Sequence, residues 1–303
     1  LGVGLALVLL GSALVPMSTP HADAYVSALG NVLGSSVSGD TLTLTIDNGA
    51  EPNDDKLIFD VLQEDIVKVS YRPNDVSPSA DTPMIDPNKI WSSVGSTIDT
   101  SGDPITINTA KLEVEIAKSP TRVTIKKADG TTLLWEPSGG GVFYDGVRFE
   151  HSTSHNMYGI RSYNANEAAP DIIRNDSTHP AHAGNQGDSG GPFIWSTSGY
   201  GILVDSDGGY PYTDTTGKLE FYYGGTPTEG RRYSKTDVEY YAIVGEPDKI
   251  MEGFASITGK SPMLPKWSLG FMNFEWDTDQ TEMTTMVDTY RAKNIPIDGY
   301  GLD

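Results

Sequence analysis

From Tyr25 to about Tyr241 the chain is written in short apolar–polar alternations. Thr41-Leu42-Thr43-Leu44-Thr45-Ile46 puts every apolar residue on one face, and Asp47-Asn48-Gly49 follows as a turn. The same period of two predicts strands over Ile66–Tyr71, Ile105–Ile107 and Leu112–Ile116. Val123–Lys126 and Thr132–Trp135, joined through Ala128-Asp129-Gly130, predict a hairpin. Val142–Tyr144 and Val147–Phe149 across Asp145-Gly146 predict a tighter one. Pro192–Trp195 and Gly201–Val204 are further apolar strand candidates. Many short strands with Gly, Asp and Asn turns imply two packed sheets, a β-sandwich. Asn164 to Gly191 is poor in apolar residues and predicts a long loop, where function often resides.

The periodicity changes near Glu246. Ile250, Phe254 and Ile257 share one helical face after Pro247, and Gly259 reads as the stop. Pro262 and Pro265 make a stiff connector. Trp267–Phe274 reads as a buried strand, and Asp279 with Glu282 as a helix cap. Met283, Met286, Val287 and Tyr290 then form one helical stripe, ended by Asn294 and Pro296. Ile297–Asp303 is a second strand. Strand, helix and strand so closely spaced predict a βαβ unit with parallel strands, the opening of a (β/α)8 barrel. The carboxyl ends of barrel strands carry the active site. Here those ends hold Glu275, Trp276 and Asp277 after the first strand and Asp303 after the second.

Composition bounds the function. The first residues, Leu1 to Val15, are apolar but too short to span a membrane, and Ala22-Asp23-Ala24 has the small-x-small form of a signal peptidase site. Residues 1–24 are therefore expected to be a signal peptide and the protein to be secreted, with no integral membrane segment after its removal. Cysteine is absent, which excludes disulfides, thiolate metal sites and a cysteine nucleophile. The formal net charge of −20 argues against a nucleic-acid partner and is compatible with a neutral sugar.

Gly187-Asp188-Ser189-Gly190-Gly191-Pro192 spells the nucleophile motif of chymotrypsin-like proteases. That chemistry needs a general-base His and an orienting Asp. The histidines His151, His155, His179 and His182 crowd just before Ser189, outside the usual context, so a glycine-rich loop before a strand is the favoured reading. Asp205-Ser206-Asp207-Gly208 has a calcium-loop flavour without the later ligands, and reads as an acidic turn. No metal or cofactor is expected. Glu275 and Trp276 suit a sugar, since hydroxyls bond to carboxylates and an apolar sugar face stacks on an indole.

Five ordered segments between Leu112 and Asp303 resemble glycoside hydrolase family 31, of the α-glucosidase or α-glucosyltransferase type. Leu112–Ile125 with Asp129-Gly130, Met157–Ile160 and Gly199–Val204 resemble its N-terminal, galactose-mutarotase-like sandwich. Gly259–Gly270 and Tyr290–Asp303 resemble the entry and second strand of its catalytic barrel. The resemblance implies a retaining mechanism on α-glucosidic linkages of malto- or isomalto-type oligosaccharides or α-glucans. Its two catalytic Asp residues lie on later strands, so none is expected in this chain, and residues 1–303 alone should be inactive. Asp303 matches the family's sugar-binding Asp after the second strand. A sandwich loop also reaches that subsite with an Arg-Asp pair, matched here by Arg174 and Asp176 with Asn175 inserted. The strand Gly270–Asp277 departs from the family's Arg before Trp, and points towards a transglycosylating member.

The expected organisation is a signal peptide (1–24), a sandwich (25–245), a helix and connector (246–264), and the start of a truncated barrel (265–303). Substrate-binding candidates are Asp303, Asp176, Glu275 and Trp276. The alternatives are a non-catalytic carbohydrate-binding sandwich and a secreted serine protease using Ser189.

Overall fold

The computed structural model describes residues 29–49, 53–143, 146–161, 172–176, 178–180, 190–205, 211–222 and 237–302. The chain divides into two compact units, Leu1–Thr258 and Gly259–Asp303.

Two antiparallel sheets build the first unit. Among the described residues one has eight strands in the order Val32–Ser38, Thr41–Ile46, Asp55–Gln63, Ile66–Arg72, Val238–Val244, Tyr200–Val204, Gly190–Ser196 and Met157–Arg161. The other runs Thr178–Pro180, Pro211–Asp214, Lys218–Tyr222, Gly146–His151, Thr132–Trp135, Thr121–Lys127, Leu112–Lys118, Ile105–Asn108 and Thr97–Asp99, with Val142–Phe143 paired beside Gly146–His151. The alternation seen in the sequence has its cause here. Leu42, Leu44, Leu57, Phe59, Val67 and Val69 from one sheet pack with Ile105, Val114, Ile116, Val123, Phe149 and Phe221 from the other in a single core. Phe149 meets Tyr240 edge-on across the sheets, with ring centroids 5.3 Å apart. Each such side chain contributes about 1.5–3 kcal/mol by leaving water.

Val238–Val244 is buried at every position, so it shows no alternation. Its Tyr240 and Ala242 face the sandwich core, while Tyr241 and Ile243 face a second cluster on the outer side. That cluster is closed by the helix Pro247–Thr258 through Ile250 and Ile257, with Phe254 stacked on Phe193 at 4.2 Å. Gly259, at φ +84°, follows the helix as predicted.

The second unit pairs Met272–Glu275 in parallel with Gly299–Leu302, from Met272↔Gly299 to Glu275↔Leu302. The helix Gln280–Ala292 connects them. Asp279 is its N-cap: the carboxylate accepts the Glu282 N–H at 2.8 Å. Met283, Met286, Val287 and Tyr290 are the half-buried stripe, and Tyr290 lies 5.5 Å from the Phe271 ring.

Two expectations change. Trp267–Leu269 is not strand: Lys266–Leu269 forms a 3-10 turn, where Ser268 N–H and Oγ both bond to the Pro265 carbonyl. Nor is the stretch from Asn164 to Gly191 all loop. Thr178–Pro180 pairs with Pro211–Asp214, and Gly190 and Gly191 belong to the strand Gly190–Ser196. Polar ladder residues hid these pieces from a search for apolar alternation. No helix among the described residues is long and apolar enough to cross a membrane.

Candidate functional site

Residues 172–176 run beside the end of the eight-stranded sheet, and each polar group has a defined task. The Arg174 backbone N–H donates to the Met157 carbonyl at 2.8 Å. Its Nε donates to the Gly159 carbonyl at 3.0 Å, and the residue is buried. The amide of Asn175 bridges both ways: Oδ1 accepts the Met157 N–H at 2.8 Å and Nδ2 donates to the His155 carbonyl at 2.7 Å. The inserted Asn thus completes the hydrogen bonding of the strand edge.

Asp176 follows in the left-handed region, at φ +49°, which its short polar side chain tolerates. Its N–H donates to Asp214 Oδ2 at 2.7 Å, and its own Oδ1 accepts the Thr216 N–H at 2.6 Å. Beneath it lies a buried pair. His151 Nε2 is 2.8 Å from Asp214 Oδ1, with the side chains 1% and 2% exposed. The other ring nitrogen, Nδ1, is 3.0 Å from the Ser152 carbonyl. The exposed Asp176 is therefore held from below by a buried, hydrogen-bonded His151–Asp214 pair, and is placed to offer carboxylate oxygen to a polar ligand.

Strain lies next to this loop. Gly159 sits at φ +117° and Ile160, a β-branched residue, at φ +70°, where the pairing of Met157–Arg161 with Gly190–Ser196 shifts register. The bulge turns the Gly159 carbonyl towards Arg174.

In the second unit, Glu275 ends its strand as expected. Its Oε2 accepts from the Tyr300 hydroxyl and from Asn273 Nδ2 at 3.4 Å. The bond to Glu275 raises the Tyr300 phenol above its ordinary range. Trp276 is 76% exposed, leaving an indole face open to solvent. Asp277 adopts φ +55° directly after it. Asp303 lies outside the described residues, as do Ser189 and Asp207.

Residues 261–303 match the glycosyl hydrolases family 31 TIM-barrel domain. The chain is 67% identical over 299 residues to the 1,6-alpha-glucosyltransferase of Sporosarcina globispora, across 98% of this chain. The chain belongs to glycoside hydrolase family 31. It spans 23% of that relative's length, and 19% of the length of the isomaltosyltransferase of the same organism, to which it is 29% identical over 219 residues. Its fold is that of two solved family 31 relatives. The Flavobacterium johnsoniae GH31 dextranase aligns at TM-score 0.72 and 19% identity, over 91% of this chain and 34% of that one. The Listeria monocytogenes cycloalternan-forming enzyme aligns at TM-score 0.70 and 21% identity, over 91% of this chain and 26% of that one.

Membership of family 31 removes the protease alternative, and the geometry agrees. Both nitrogens of the buried His151 face oxygens of Ser152 and Asp214, leaving none for a serine hydroxyl. Of the acidic turn expected over Asp205–Gly208, only Asp205 lies among the described residues. Asp205 is buried, and its carboxylate receives the Thr82 hydroxyl at 2.6 Å. Asp214, and the supporting roles of His151 and Asn175, carry no signal in the sequence. The His151–Asp214 contact joins residues 63 apart in the chain, and no local spacing announces it.

Proposed function

We propose that this chain is the sandwich and barrel entry of an exported, retaining α-glucosyl-transferring enzyme of family 31. The identity of 67% with a 1,6-alpha-glucosyltransferase, sustained across 98% of the chain, is the observation that carries this reading. The substrate is a malto- or isomalto-type oligosaccharide or a related α-glucan, and the glucosyl group is passed to a sugar hydroxyl or to water.

In this reading the nucleophile and the acid/base come from barrel strands other than the two present here. A retaining enzyme places two carboxyl groups about 5–5.5 Å apart, one to form the glycosyl–enzyme bond and one to protonate the leaving oxygen. The residues of this chain bind and orient. Asp176 and Asp303 accept hydrogen bonds from sugar hydroxyls, charge-assisted and worth about 1.5–3 kcal/mol each. Glu275 adds an acceptor beside Trp276, whose exposed ring stacks on the apolar face of a glucose unit. The anchoring of Asp176 by Asp214 and Thr216 supports this role, because an acceptor fixed in advance loses little entropy on binding. Export rests on the signal-peptide character of residues 1–24.

The test uses the full-length protein on maltose, isomaltose and malto-oligosaccharides, following glucose release and new oligosaccharides by chromatography. Transfer products longer than the donor are expected. Failure of both release and transfer on all of them contradicts the proposal.

A further inference from the structure

The edge of a β-sheet is a row of unpaired backbone groups, a template for another strand. Among the described residues of the sandwich, all such edges but one are blunted. Met157–Arg161 ends the eight-stranded sheet on one side, and residues 172–176 cover it. There the Arg174 N–H donates to the Met157 carbonyl at 2.8 Å, and Asn175 Oδ1 accepts the Met157 N–H at 2.8 Å. The other sheet ends in Thr178–Pro180 and Thr97–Asp99. Each is three residues long, and one closes on a proline, the other on a charge.

Val32–Ser38 ends the eight-stranded sheet on its other side and carries none of these devices. It is seven residues long, without a charged residue or a proline. Every residue from Leu33 to Ser38 is exposed. Its bulge, between Val32 and Gly34, lies at its start. Val37 stands directly opposite Leu42, and so on the same face of the sheet. Leu42 is fully buried in the core, yet Val37 is 48% exposed and Leu33 57%. The apolar face therefore runs out past the core, beside an open row of donors and acceptors.

Hairpin geometry says which groups point outwards. Ser38 and Thr41 pair across the two-residue turn Gly39-Asp40, with Gly39 at φ +58°. The pair flanking such a turn exchanges both hydrogen bonds, and the exchange recurs at every second residue. Ser38 and Ser36 thus spend their backbone groups on Thr41–Ile46, while Val37 and Ser35 turn theirs away from the sheet. An antiparallel copy of this strand, related by a two-fold axis at Ser35, sets Ser35 against the partner's Ser35. The same register sets Val37 against the partner's Leu33, and Leu33 against the partner's Val37. Moving the axis one residue either way sets Val37 or Leu33 against Ser35 instead.

We propose that Val32–Ser38 is the interface of a homodimer, paired antiparallel with the same strand of a second copy about a two-fold axis at Ser35. The occupant is a second copy because the strand is complementary to itself: apolar meets apolar, serine meets serine, and no charge is opposed. The contact is isologous, so it closes as a dimer and does not propagate. It joins the two eight-stranded sheets into one and brings the exposed Leu33 and Val37 of the two copies together.

The test takes the full-length protein and measures its mass by light scattering after size exclusion and by sedimentation velocity, over a dilution series. The mass of two chains is expected, falling to one on dilution. Ser35→Lys sets like charges directly opposite each other at the axis, and should leave the mass of one chain at every concentration. Ser35→Glu should do the same, and an equimolar mixture of the two variants should restore the dimer. Position 35 is exposed, so both variants should melt at the wild-type temperature. Wild-type protein that stays a single chain throughout overturns the proposal. A single chain whose Ser35 and Val37 amides are protected from hydrogen exchange also overturns it, by showing the edge covered from within one polypeptide. A dimer that survives both substitutions places the interface elsewhere. A mixture that stays monomeric overturns the pairing at Ser35.

Discussion

His151→Ala is the perturbation that most directly probes how the Asp176 loop is held. The wild-type Asp214 carboxylate is 2% exposed and receives His151 at 2.8 Å and the Asp176 N–H at 2.7 Å. Removing the imidazole keeps the second bond and deletes the first. A hydrogen bond to a charged group contributes about 1.5–3 kcal/mol, and a buried charge stripped of its partner costs about 3–5 kcal/mol in all. The expected loss is therefore roughly 3–5 kcal/mol, read from urea unfolding followed by tryptophan fluorescence. Adding Asp214→Asn to the same chain removes the stranded charge, while the Asn oxygen still accepts from Asp176. The double variant should recover more than about 1 kcal/mol relative to additivity. A loss below about 1 kcal/mol for the single variant, or strict additivity in the cycle, refutes the claim that this buried pair holds the loop.

Glu136 predicts a pH dependence. It is fully buried, and burial pushes its carboxyl up from 4.5 to about 7 despite bonds from the Val123 and Val142 N–H groups. Its contribution is complete below about pH 4.5, where folded and unfolded chains are both protonated, and is lost as pH rises through 7. The interval 7 − 4.5, at about 1.36 kcal/mol per pH unit, gives a loss of roughly 3 kcal/mol. Glu136→Gln should flatten this part of the stability–pH curve, and an unchanged slope speaks against it. Gly159→Ala places a methyl 2.5 Å from the Phe193 carbonyl oxygen at φ +117°, and should cost at least about 1–3 kcal/mol by urea unfolding. Asp279→Ala removes the N-cap of Gln280–Ala292 and should cost about 1 kcal/mol, visible as faster amide exchange in the first turn of that helix.

How far the sequence carried the fold depends on how each element is buried. Thr41–Ile46 and Leu112–Lys118 alternate because one face meets the core and the other meets water, and both were legible. Val238–Val244 lies between the sandwich core and a helix, so burial on both faces erased its period. Met272–Glu275 was overextended because Trp267 and Leu269 are apolar yet belong to a turn. At the candidate site, Asp176 was legible only through family resemblance, and its supports His151 and Asp214 only through tertiary pairing. The burial of Asp205 against Thr82 is likewise a tertiary contact, between residues far apart in the chain, with no local signal.

The central claim is α-glucosyl transfer with retention by the enzyme to which this chain contributes. Proton NMR of the full-length protein acting on a malto-oligosaccharide tests it in one experiment. The account predicts new α-1,6-linked anomeric signals growing as the donor is consumed, with any released glucose appearing first as the α-anomer. First release of β-glucose, or complete absence of new α-linkages and of released glucose, would contradict it.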